Sequence, residues 1–410
     1  MDIMEQTQQI YDGIYWIGGN DFVTPRFENI FPLPFGVTYN SYFIDDEKTA
    51  VVDSVDAAIR DLFMENVEYL LKGRSLDYII INHMEPDHCE SLLQLADMYP
   101  DAKIAGSPAA LRFFEQYYHH PLPERYVKLS ERAPISLGKR TLRFVNAPMV
   151  HWPEVTVTYD ETDKILFSAD AFGTFGVIHG SIFADWCDYK ERYLDEARRY
   201  YGNIVGKFGR QVLALYRKLE KLDIDMIAPL HGPVFRRKED VSFILTKVKE
   251  WASWTPEREG AAILFASAYG RTAEAAQIAA AKLAEEGVRD IKLVDLCATD
   301  VSFAVADVFA YSHIVLAAPT YNAGLYPVMD HFLSEMTALM PENRKIAIIG
   351  NATWIPQAAS KVMEGYVEKW KNSPLITAPA EVTSAVGDKE RESIRLLAEA
   401  VAKNILTAEE

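Results

Sequence analysis

From about residue 260 to the end of the chain, short apolar runs alternate with longer stretches that mix apolar and polar residues. Apolar runs of this length predict buried strands, and the mixed stretches have the length and spacing of helices. The predicted strands are AAILFA, IKLVDL, HIVLAA and KIAIIG. The predicted helices span about 273–286, 327–339, 357–371 and 389–403. This alternation indicates an α/β domain with a doubly wound parallel sheet.

The first 254 residues follow a different pattern, because several apolar runs succeed one another without a helix between them, notably over 141–170. The predicted strands are TYNSYFI, TAVVDSV, DYIIIN, AKIAG, TLRFVNA, VTVTYD and KILFSAD. The predicted helices span about 57–71, 89–98, 108–116 and 194–221. This order predicts a mixed sheet or two packed sheets with helices outside.

The two patterns meet at WASWTPEREG (251–260), where a proline, several charges and a glycine predict a domain boundary. The expected domains are 1–254 and 260–410. A length of 410 residues suits two or three domains, and 49% hydrophobic with 25% charged residues is a globular composition.

Charge and cysteine content narrow the class of protein further. The formal net charge of −17 disfavours nucleic acid and anionic membrane surfaces as partners, because both are negatively charged. The sequence has no apolar run long enough to span a bilayer, and its beginning, MDIMEQTQQIYDG, does not resemble a signal peptide. Cys89, Cys187 and Cys297 are scattered, so we expect neither a disulfide framework nor a thiolate zinc site. These features predict a soluble cytoplasmic protein.

The segment INHMEPDHCE (81–90) is rich in metal-binding residue types and directly follows a predicted strand. If the chain stays extended there, His83, Glu85 and Asp87 point to one side, and His88 follows on the next residue. We expect Pro86 to help prevent an early helix start. The alternative is an ordinary solvated loop, but four nitrogen or oxygen donors at this spacing favour a metal site.

Three further residues share this position at the end of an apolar run, namely His151, Asp170 and His231. Together with the four in the first segment they are more ligands than one metal ion uses, but they suit two ions. Asp170 is the natural bridge between the ions, because it lies in a segment of its own and a carboxylate has two oxygens.

A second constellation lies in the C-terminal half, where the strand AAILFA leads into SAYGRTAEAA (267–276). Ser267, Thr272 and the loop amides can surround a phosphate at the start of a helix. The sequence has neither G-x-x-x-x-G-K nor G-x-G-x-x-G here, so a flavin mononucleotide (FMN) fits better than ATP or a dinucleotide.

Two more strand ends, PTYNAG (319–324) and GNATW (350–354), should converge on the same edge of the sheet. Tyr321 and Trp354 could flank a flavin ring, although either could be an ordinary capping aromatic. The expected FMN-binding residues are Ser267, Tyr269, Gly270, Arg271, Thr272, Pro319, Thr320, Tyr321, Asn322, Ala323, Asn351, Ala352, Thr353 and Trp354.

The motif H-x-E-x-D-H, followed by single His, Asp and His residues, resembles the flavodiiron branch (A-type flavoproteins) of the β-lactamase-like metallohydrolase superfamily. VHWPE and FSADAFG also resemble this branch, and SAYGRT, PTYNAG and GNATW resemble flavodoxin. The hydrolases usually carry H-x-H-x-D-H and bind zinc, whereas an oxygen ligand at Glu85 shifts the preference towards iron. The resemblance implies an N-terminal β-lactamase-like αββα sandwich and a C-terminal flavodoxin-like domain.

The resemblance also implies roles for individual residues. His83, Glu85 and His151 would bind one iron, and Asp87, His88 and His231 the other. Asp170 would bridge the two irons. Glu154 stands where many members have Asp and is not expected to be a ligand. Tyr200, in ARRYYGN, would reach the di-iron pocket as a catalytic hydrogen-bond donor, or else pack on the helix surface; His179 is a weaker candidate for the pocket wall.

The implied function is reduction of O2 to water, or of NO to nitrous oxide, with electrons relayed through FMN. The sequence leaves the choice between O2 and NO open. Because it has no C-x-x-C pair, the electron donor should be a separate protein, such as a rubredoxin or a reductase. The family assembly is a head-to-tail homodimer, with a tetramer as the larger alternative. Two rival functions are a di-zinc hydrolase fused to a flavodoxin module and a non-catalytic electron-transfer flavoprotein.

Overall fold

The computed structural model describes residues 6–407. The chain divides into two compact units, Met1–Ala252 and Ser253–Glu410. Within the described residues, no helix combines the length and the apolar character that crossing a membrane requires. We describe each unit by itself.

The first unit contains two large sheets. Its strands in chain order are β1 (Gln8–Tyr11), β2 (Ile14–Trp16), β3 (Gly19–Asp21), β4 (Arg26–Phe27), β5 (Phe31–Pro32), β6 (Val37–Tyr39), β7 (Tyr42–Ile44), β8 (Ala50–Val52), β9 (Tyr78–Ile81), β10 (Lys103–Gly106), β11 (Tyr126–Lys128), β12 (Ile135–Ser136), β13 (Thr141–Asn146), β14 (Thr156–Asp160), β15 (Ile165–Phe167) and β16 (Met226–Ala228). One sheet has seven strands in the order β1-β2-β7-β8-β9-β10-β11, and the other has five in the order β12-β13-β14-β15-β16.

Apolar side chains from both sheets meet in one core. Ile80 and Val52 from the seven-stranded sheet belong to the same buried cluster as Phe144 and Phe167 from the five-stranded sheet. Strand β13 shows why, since its buried residues alternate with exposed ones and only one face is apolar. The sequence-based expectation of two packed sheets is therefore confirmed.

Helices flank the sheets of this unit. They are α1 (Arg60–Leu71), α2 (Pro86–Cys89), α3 (Leu92–Met98), α4 (Pro108–Tyr118), α5 (Tyr189–Arg192), α6 (Leu194–Tyr200), α7 (Gly209–Leu219) and α8 (Lys238–Ala252). Helix α4 illustrates a local start signal, because the Ser107 side chain accepts a hydrogen bond from the Ala110 amide and Pro108 follows directly.

Two predicted elements are wrong, because neither is one continuous element in the structure. TYNSYFI is not one strand, because β6 pairs with β3 while β7 pairs with β2 and β8. The chain turns at Asn40, whose side-chain amide donates to the carbonyls of Pro229 and Gly232, both 2.8 Å away. These bonds draw the residue out of a regular strand.

The helix predicted over 194–221 is also interrupted. After α6 the chain forms a π-helical turn over Tyr201–Val205 and a 3₁₀ turn over Gly206–Phe208 before α7 begins. Glycines within and after this turn lower helix propensity. At Gly209 a side chain would come within 2.5 Å of the Ala252 carbonyl oxygen, so the close approach of α8 requires glycine.

The second unit is built on a parallel sheet. Its strands are β17 (Arg258–Phe265), β18 (Ile291–Asp295), β19 (Tyr311–Tyr321), β20 (Gly324–Leu325), β21 (Lys345–Asn351) and β22 (Ala380–Val382). Its helices are α9 (Arg271–Glu285), α10 (Val301–Ala310), α11 (Pro327–Ala338), α12 (Ala358–Val367) and α13 (Asp388–Leu406). The order β18-β17-β19-β21-β22 is parallel throughout, and β20 forms a short hairpin with β19. The predicted doubly wound sheet is confirmed.

The second unit also includes residues that precede its first strand. Trp254 is buried and stacks on Phe309, with ring centroids 4.0 Å apart. The fully buried guanidinium of Arg344 donates to the carbonyls of Trp254 and Val308 at 2.7 and 2.6 Å. These contacts join the start of the unit to the end of α10.

Candidate metal centre and flavin pocket

The first metal-binding segment leaves the sheet at the end of β9. Asp53 accepts hydrogen bonds from the amides of Asn82 and His83 at 2.7 and 3.1 Å, which fixes the chain as it leaves the strand. Pro86 does not delay a helix, contrary to expectation; it is the first residue of α2, where a missing amide hydrogen costs nothing. As a result Asp87 lies in a helical turn rather than on the extended side with His83 and Glu85.

Three residues gather around one side of Asp170. His83 Nε2 lies 3.3 Å from Glu85 Oε2 and 3.2 Å from Asp170 Oδ2. His151 Nε2 lies 2.8 Å from the same Glu85 oxygen and 3.2 Å from the same Asp170 oxygen. Two nitrogens and two carboxylate oxygens therefore face one point, as the ligands of a single metal ion would.

A second group faces the other oxygen of Asp170. Asp87 Oδ2 is 3.2 Å from both His88 Nε2 and His231 Nε2, and the two imidazole nitrogens are 3.1 Å apart. Asp170 Oδ1 lies 3.1 Å from His88 Nε2 and 3.7 Å from His231 Nε2. The structure thus brings all seven predicted residues together, in two groups that share Asp170.

The buried carboxylates in this cluster need cations beside them. Burial raises the pKa of Asp170, but the neighbouring His88 and His83 outweigh burial and hold that pKa well below its usual value. Both carboxylate oxygens of Asp87 and of Asp170 are buried without a hydrogen-bond donor. Buried anionic oxygens without donors are costly unless a cation lies beside them. The donor set of imidazole nitrogens and carboxylate oxygens therefore fits two hard or borderline metal ions.

Outer contacts orient the imidazoles. The Nδ1 atom of His83 lies 2.7 Å from Glu154 Oε1, and Nδ1 of His231 donates to the Thr38 carbonyl at 2.7 Å. Such partners fix the ring orientation and the nitrogen that faces the metal. Glu154, which the sequence excluded as a ligand, is buried and acts on the far side of His83.

The predicted FMN residues surround a cavity of about 580 Å³ at the carboxyl ends of β17, β19 and β21. Eleven of the fourteen line it, and the structure adds Ala268, Tyr326, Ser384 and Ala385. Gly270, Asn322 and Ala323 do not line the cavity; they form loop turns with φ of 86°, 46° and 62°. The cavity is large enough for a cofactor of this size.

The loop before α9 is arranged as an anion site. Ser267 Oγ accepts hydrogen bonds from the amides of Gly270 and Ala273 at 3.1 and 3.3 Å, which curls the loop around the start of the helix. Arg271 is the charged residue of the cavity wall, and in the part of the chain that the structure describes no carboxylate lines the cavity. A phosphate group fits such a wall, because a cation and the start of a helix both attract an anion.

Comparisons with known proteins identify the family. A family model described as "ODP family beta lactamase" matches residues 37–232. An anaerobic nitric oxide reductase flavorubredoxin from Vibrio vulnificus is 31% identical over 366 residues, 87% of this chain and 72% of the relative. The solved structure of rubredoxin oxygen:oxidoreductase from Desulfovibrio gigas is 26% identical, with a TM-score of 0.91 over 98% of this chain and 99% of that chain. The chain belongs to the flavodiiron protein family.

The fold class predicted from the sequence is confirmed by this membership. The flavodiiron protein from Giardia intestinalis has the same fold, with a TM-score of 0.90 over 98% of this chain at 22% identity. The first unit is the β-lactamase-like αββα sandwich, and the second is flavodoxin-like. The metal cluster lies at the strand ends of the first fold, and the flavin cavity lies at the strand ends of the second.

Tyr200 and His179 differ in their positions within this flavodiiron protein. Tyr200 is fully buried at the end of α6, its hydroxyl has no hydrogen-bond partner, and its ring centroid lies 5.3 Å from that of His231. Burial, reinforced by Asp170, raises the pKa of Tyr200 well above its usual value, so the hydroxyl stays protonated. His179 is exposed on the surface.

The cavity that opens onto the metal centre was not predicted from the sequence. A cavity of about 320 Å³ reaches Glu85 and Asp87, and half of its wall comes from one segment before and within the β4–β5 hairpin, namely Thr24, Arg26, Phe27, Glu28 and Asn29. The sequence TPRFENIFPLPF contains three prolines and has no apolar pattern of strand length. The best available signal was its mixture of aromatic and charged residues.

Proposed function

We propose that this chain is a flavodiiron reductase, which reduces O2 to water or NO to nitrous oxide at a di-iron centre. FMN relays the electrons from an external donor. The observation that carries this function is the position of Asp170, whose two oxygens face two separate groups of metal ligands. The chain is thus an oxidoreductase whose cofactors are FMN and two iron ions.

We assign one iron ion to each of the two ligand groups. His83, Glu85 and His151 hold one iron, and the second group, Asp87, His88 and His231, holds the other, with Asp170 between them. When bound, the irons supply the electrons and the open coordination positions that a diatomic substrate needs. Glu154 and the Thr38 carbonyl hold the imidazoles of His83 and His231 in place.

Other side chains prepare the pocket for a small neutral substrate. The unpartnered Tyr200 hydroxyl is a hydrogen-bond donor at the buried end of the cluster. Phe27 and Phe175 pack on the Tyr200 ring at 6.2 and 5.1 Å between centroids, and Phe27 also packs on His231 at 5.4 Å. This aromatic wall would shield one side of the centre from water, and the hydroxyl could donate a hydrogen bond to a substrate held there.

The second unit supplies the electron relay. We assign the FMN phosphate to the loop that begins at Ser267, next to Arg271 and the first amides of α9. Tyr321 and Trp354 are 48% and 62% exposed at the cavity, where a flavin ring can cover them. FMN bound there would supply single-electron transfer.

The rival functions are not favoured. A di-zinc hydrolase does not explain Glu85 in place of a second histidine or the cavity in the second unit. An electron-transfer flavoprotein does not need two ligand groups joined by a buried carboxylate. Relatives are named nitric oxide reductase and rubredoxin-oxygen oxidoreductase, which are reductase names.

Partners and assembly follow as further parts of this proposal. A rubredoxin or a related reductase is the electron donor, since one relative is named for rubredoxin. The chain acts as a head-to-tail homodimer in the cytoplasm, with the flavin of one copy facing the irons of the other. The di-iron domain, expected over residues 1–254, would then end at Ala252, and the FMN domain, expected over residues 260–410, would begin at Ser253.

One experiment tests the proposal directly. The reduced protein is turned over anaerobically with O2 and with NO in parallel, and iron, zinc and FMN are quantified in the same sample. We expect two irons for each FMN and turnover of at least one of the two gases. Two zinc ions, with no reductase activity after reconstitution with iron, would favour the hydrolase instead.

A further inference from the structure

The ring of Tyr200 lies directly against the turn that carries Asp170. In that turn the Gly173 amide donates to the Asp170 carbonyl at 3.0 Å. A methyl group in place of a Gly173 α-hydrogen would lie 3.0 Å from Cε1 and 3.2 Å from Cζ of Tyr200. Carbon atoms pack best about 3.5–4.0 Å apart, so the ring in its present place leaves no room for a side chain at position 173. Cζ is also the atom that carries the hydroxyl group.

Space, and not backbone conformation, requires glycine at this position. The φ of Gly173 lies outside the left-handed region that favours glycine. Alanine can therefore adopt the same backbone conformation, and the effect of such a change comes from the added methyl group.

The turn itself is held in place. Ala169 and Phe172, which flank Asp170 in the sequence, have φ of 51° and 103°. Such values are rare for residues with a side chain and persist only where the surrounding structure fixes them. Farther along, a side chain at Gly232 would come within 2.1 Å of Thr174 Cγ2, so this segment is tightly packed as well. An added methyl group would therefore displace the tyrosine ring rather than the turn.

Other neighbours limit how far the ring can move. Phe175 packs on the Tyr200 ring edge to face, with centroids 5.1 Å apart. The guanidinium of Arg199 lies 4.4 Å from the centroid of Phe175. That guanidinium is fully buried and donates twice to one Glu196 oxygen, at 3.0 and 2.6 Å. The ring is thus enclosed, and its displacement would be a few tenths of an ångström.

A shift of this size matters most at the hydroxyl group. The Tyr200 hydroxyl is buried without a hydrogen-bond partner. A buried hydroxyl of this kind is unfavourable unless a bound molecule accepts a hydrogen bond from it. Hydrogen bonds between oxygen atoms are confined to about 2.5–3.0 Å and weaken steeply with misalignment. The place of the ring therefore decides whether the hydroxyl reaches such a molecule.

We propose that Gly173 is a positioning residue, which by its lack of a side chain lets the Tyr200 hydroxyl reach a small molecule bound at the metal centre. This inference rests on the proposed function and adds to it a residue that does not itself touch the substrate. Because the same turn carries Asp170, the hydrogen-bond donor and a residue shared by both ligand groups are held at a fixed separation.

The test combines Gly173→Ala with Tyr200→Phe, singly and together, in the full chain loaded with iron and FMN. Phenylalanine keeps the ring that Gly173 contacts but removes the hydroxyl. Azide is the probe, because it is a small anion that binds ferric iron and accepts hydrogen bonds. Its affinity is measured by absorbance titration of the oxidised protein. Gly106→Ala is the matched control, because its methyl group would also be tightly placed, 3.3 Å from Ala110 Cβ on a helix.

The expected result is a loss that depends on the hydroxyl. Gly173→Ala and Tyr200→Phe should each weaken azide binding roughly threefold to tenfold. The double variant should bind azide no more weakly than Tyr200→Phe alone, and kcat for the gas that the wild type reduces should follow the same pattern. An effect of the methyl group on the Asp170 carbonyl, 3.2 Å away, would persist without the hydroxyl. Gly106→Ala should bind azide as the wild type does.

A further variant applies if Gly173→Ala folds poorly. Tyr200→Leu removes the ring atoms that the methyl group would meet, so it should restore thermal stability to the Gly173→Ala chain. Absence of this rescue would show that another contact excludes the methyl group, and would overturn the inference.

The outcomes separate this inference from the proposed function. Wild-type azide affinity in Gly173→Ala, beside weakened affinity in Tyr200→Phe, would overturn the positioning role alone, as would losses that add in the double variant. Wild-type affinity and kcat in Tyr200→Phe would overturn the roles of both residues and leave the di-iron reductase intact. A wild-type chain that holds FMN but no iron would overturn both proposals.

Discussion

Glu154 and His83 form a buried pair, in which one carboxylate oxygen lies 2.7 Å from the imidazole Nδ1. The same Glu154 oxygen accepts the backbone amide of Met84 at 2.9 Å. One side chain therefore fixes both the ring and the chain that carries it. It also leaves Nε2 of His83 to face Glu85 and Asp170.

Glu154→Ala should loosen the first iron. Without the carboxylate, His83 loses the partner that sets its orientation, and the Met84 amide is left buried without an acceptor. Iron affinity should fall roughly 10- to 100-fold, as is typical when an outer partner of a metal ligand is removed. Iron retained after dialysis against a graded chelator measures the change. Glu154→Asp is the matched control and should retain more iron than Glu154→Ala.

Asp170→Asn should deplete the metal centre of iron and leave FMN binding unchanged. The variant keeps the side-chain size but removes the anion that both ligand groups face. We expect depleted iron and loss of both O2 and NO turnover, with FMN content unchanged. Elemental analysis and flavin absorbance check this. The control is His179→Ala, on the exposed surface of the same unit, which should behave as wild type. Full iron content in Asp170→Asn would show that Asp170 is not an iron ligand.

Tyr200→Phe should slow turnover without changing metal content. The hydroxyl has no partner in the structure, so its removal leaves the packing of the ring on Phe175 and His231 intact. A single hydrogen bond to substrate is worth ~1 kcal/mol, which predicts a loss of roughly fivefold to tenfold in kcat. Tyr201→Phe serves as the control, because that ring packs on Trp251 instead. Equal rates in the two variants would place the Tyr200 hydroxyl outside the reaction.

A chain of residues 253–410 should bind FMN and be more stable than one of residues 260–410. The shorter chain lacks Trp254, and with it the stack on Phe309 and the carbonyl that Arg344 contacts. Loss of a buried tryptophan costs about 3 kcal/mol or more. Urea denaturation followed by flavin fluorescence measures the difference. Neither chain should reduce O2 or NO at the rate of the full protein, because both lack the iron ligands.

The metal residues could be recognised from the sequence because each of their segments comes shortly after an apolar strand. The seven residues lie in four short segments, and the resemblance to a family joins these segments into one site. Their exact grouping depended on local geometry. Asp87 faces away from His83 because α2 begins at Pro86, and an extended chain would have placed the two together.

The structural features that the sequence did not predict depend on contacts between residues far apart in the chain. Thr38 contacts His231 across 193 positions, and Arg199 contacts Pro32 across 167 positions. No local pattern marks either residue, because a backbone carbonyl of almost any residue type could accept the bond. Helix α10 was missed for another reason, since VSFAVADVFA is apolar on nearly every side and lacks helical periodicity.

The shared position of Asp170 has a consequence for the order in which metals enter. An ion in the first group would orient one oxygen of Asp170, and with it the other oxygen, which faces His88 and His231. The first ion thereby prepares the second site before any second ion arrives. Loading should then be cooperative, with chains that carry a single ion scarce at every stage of a titration.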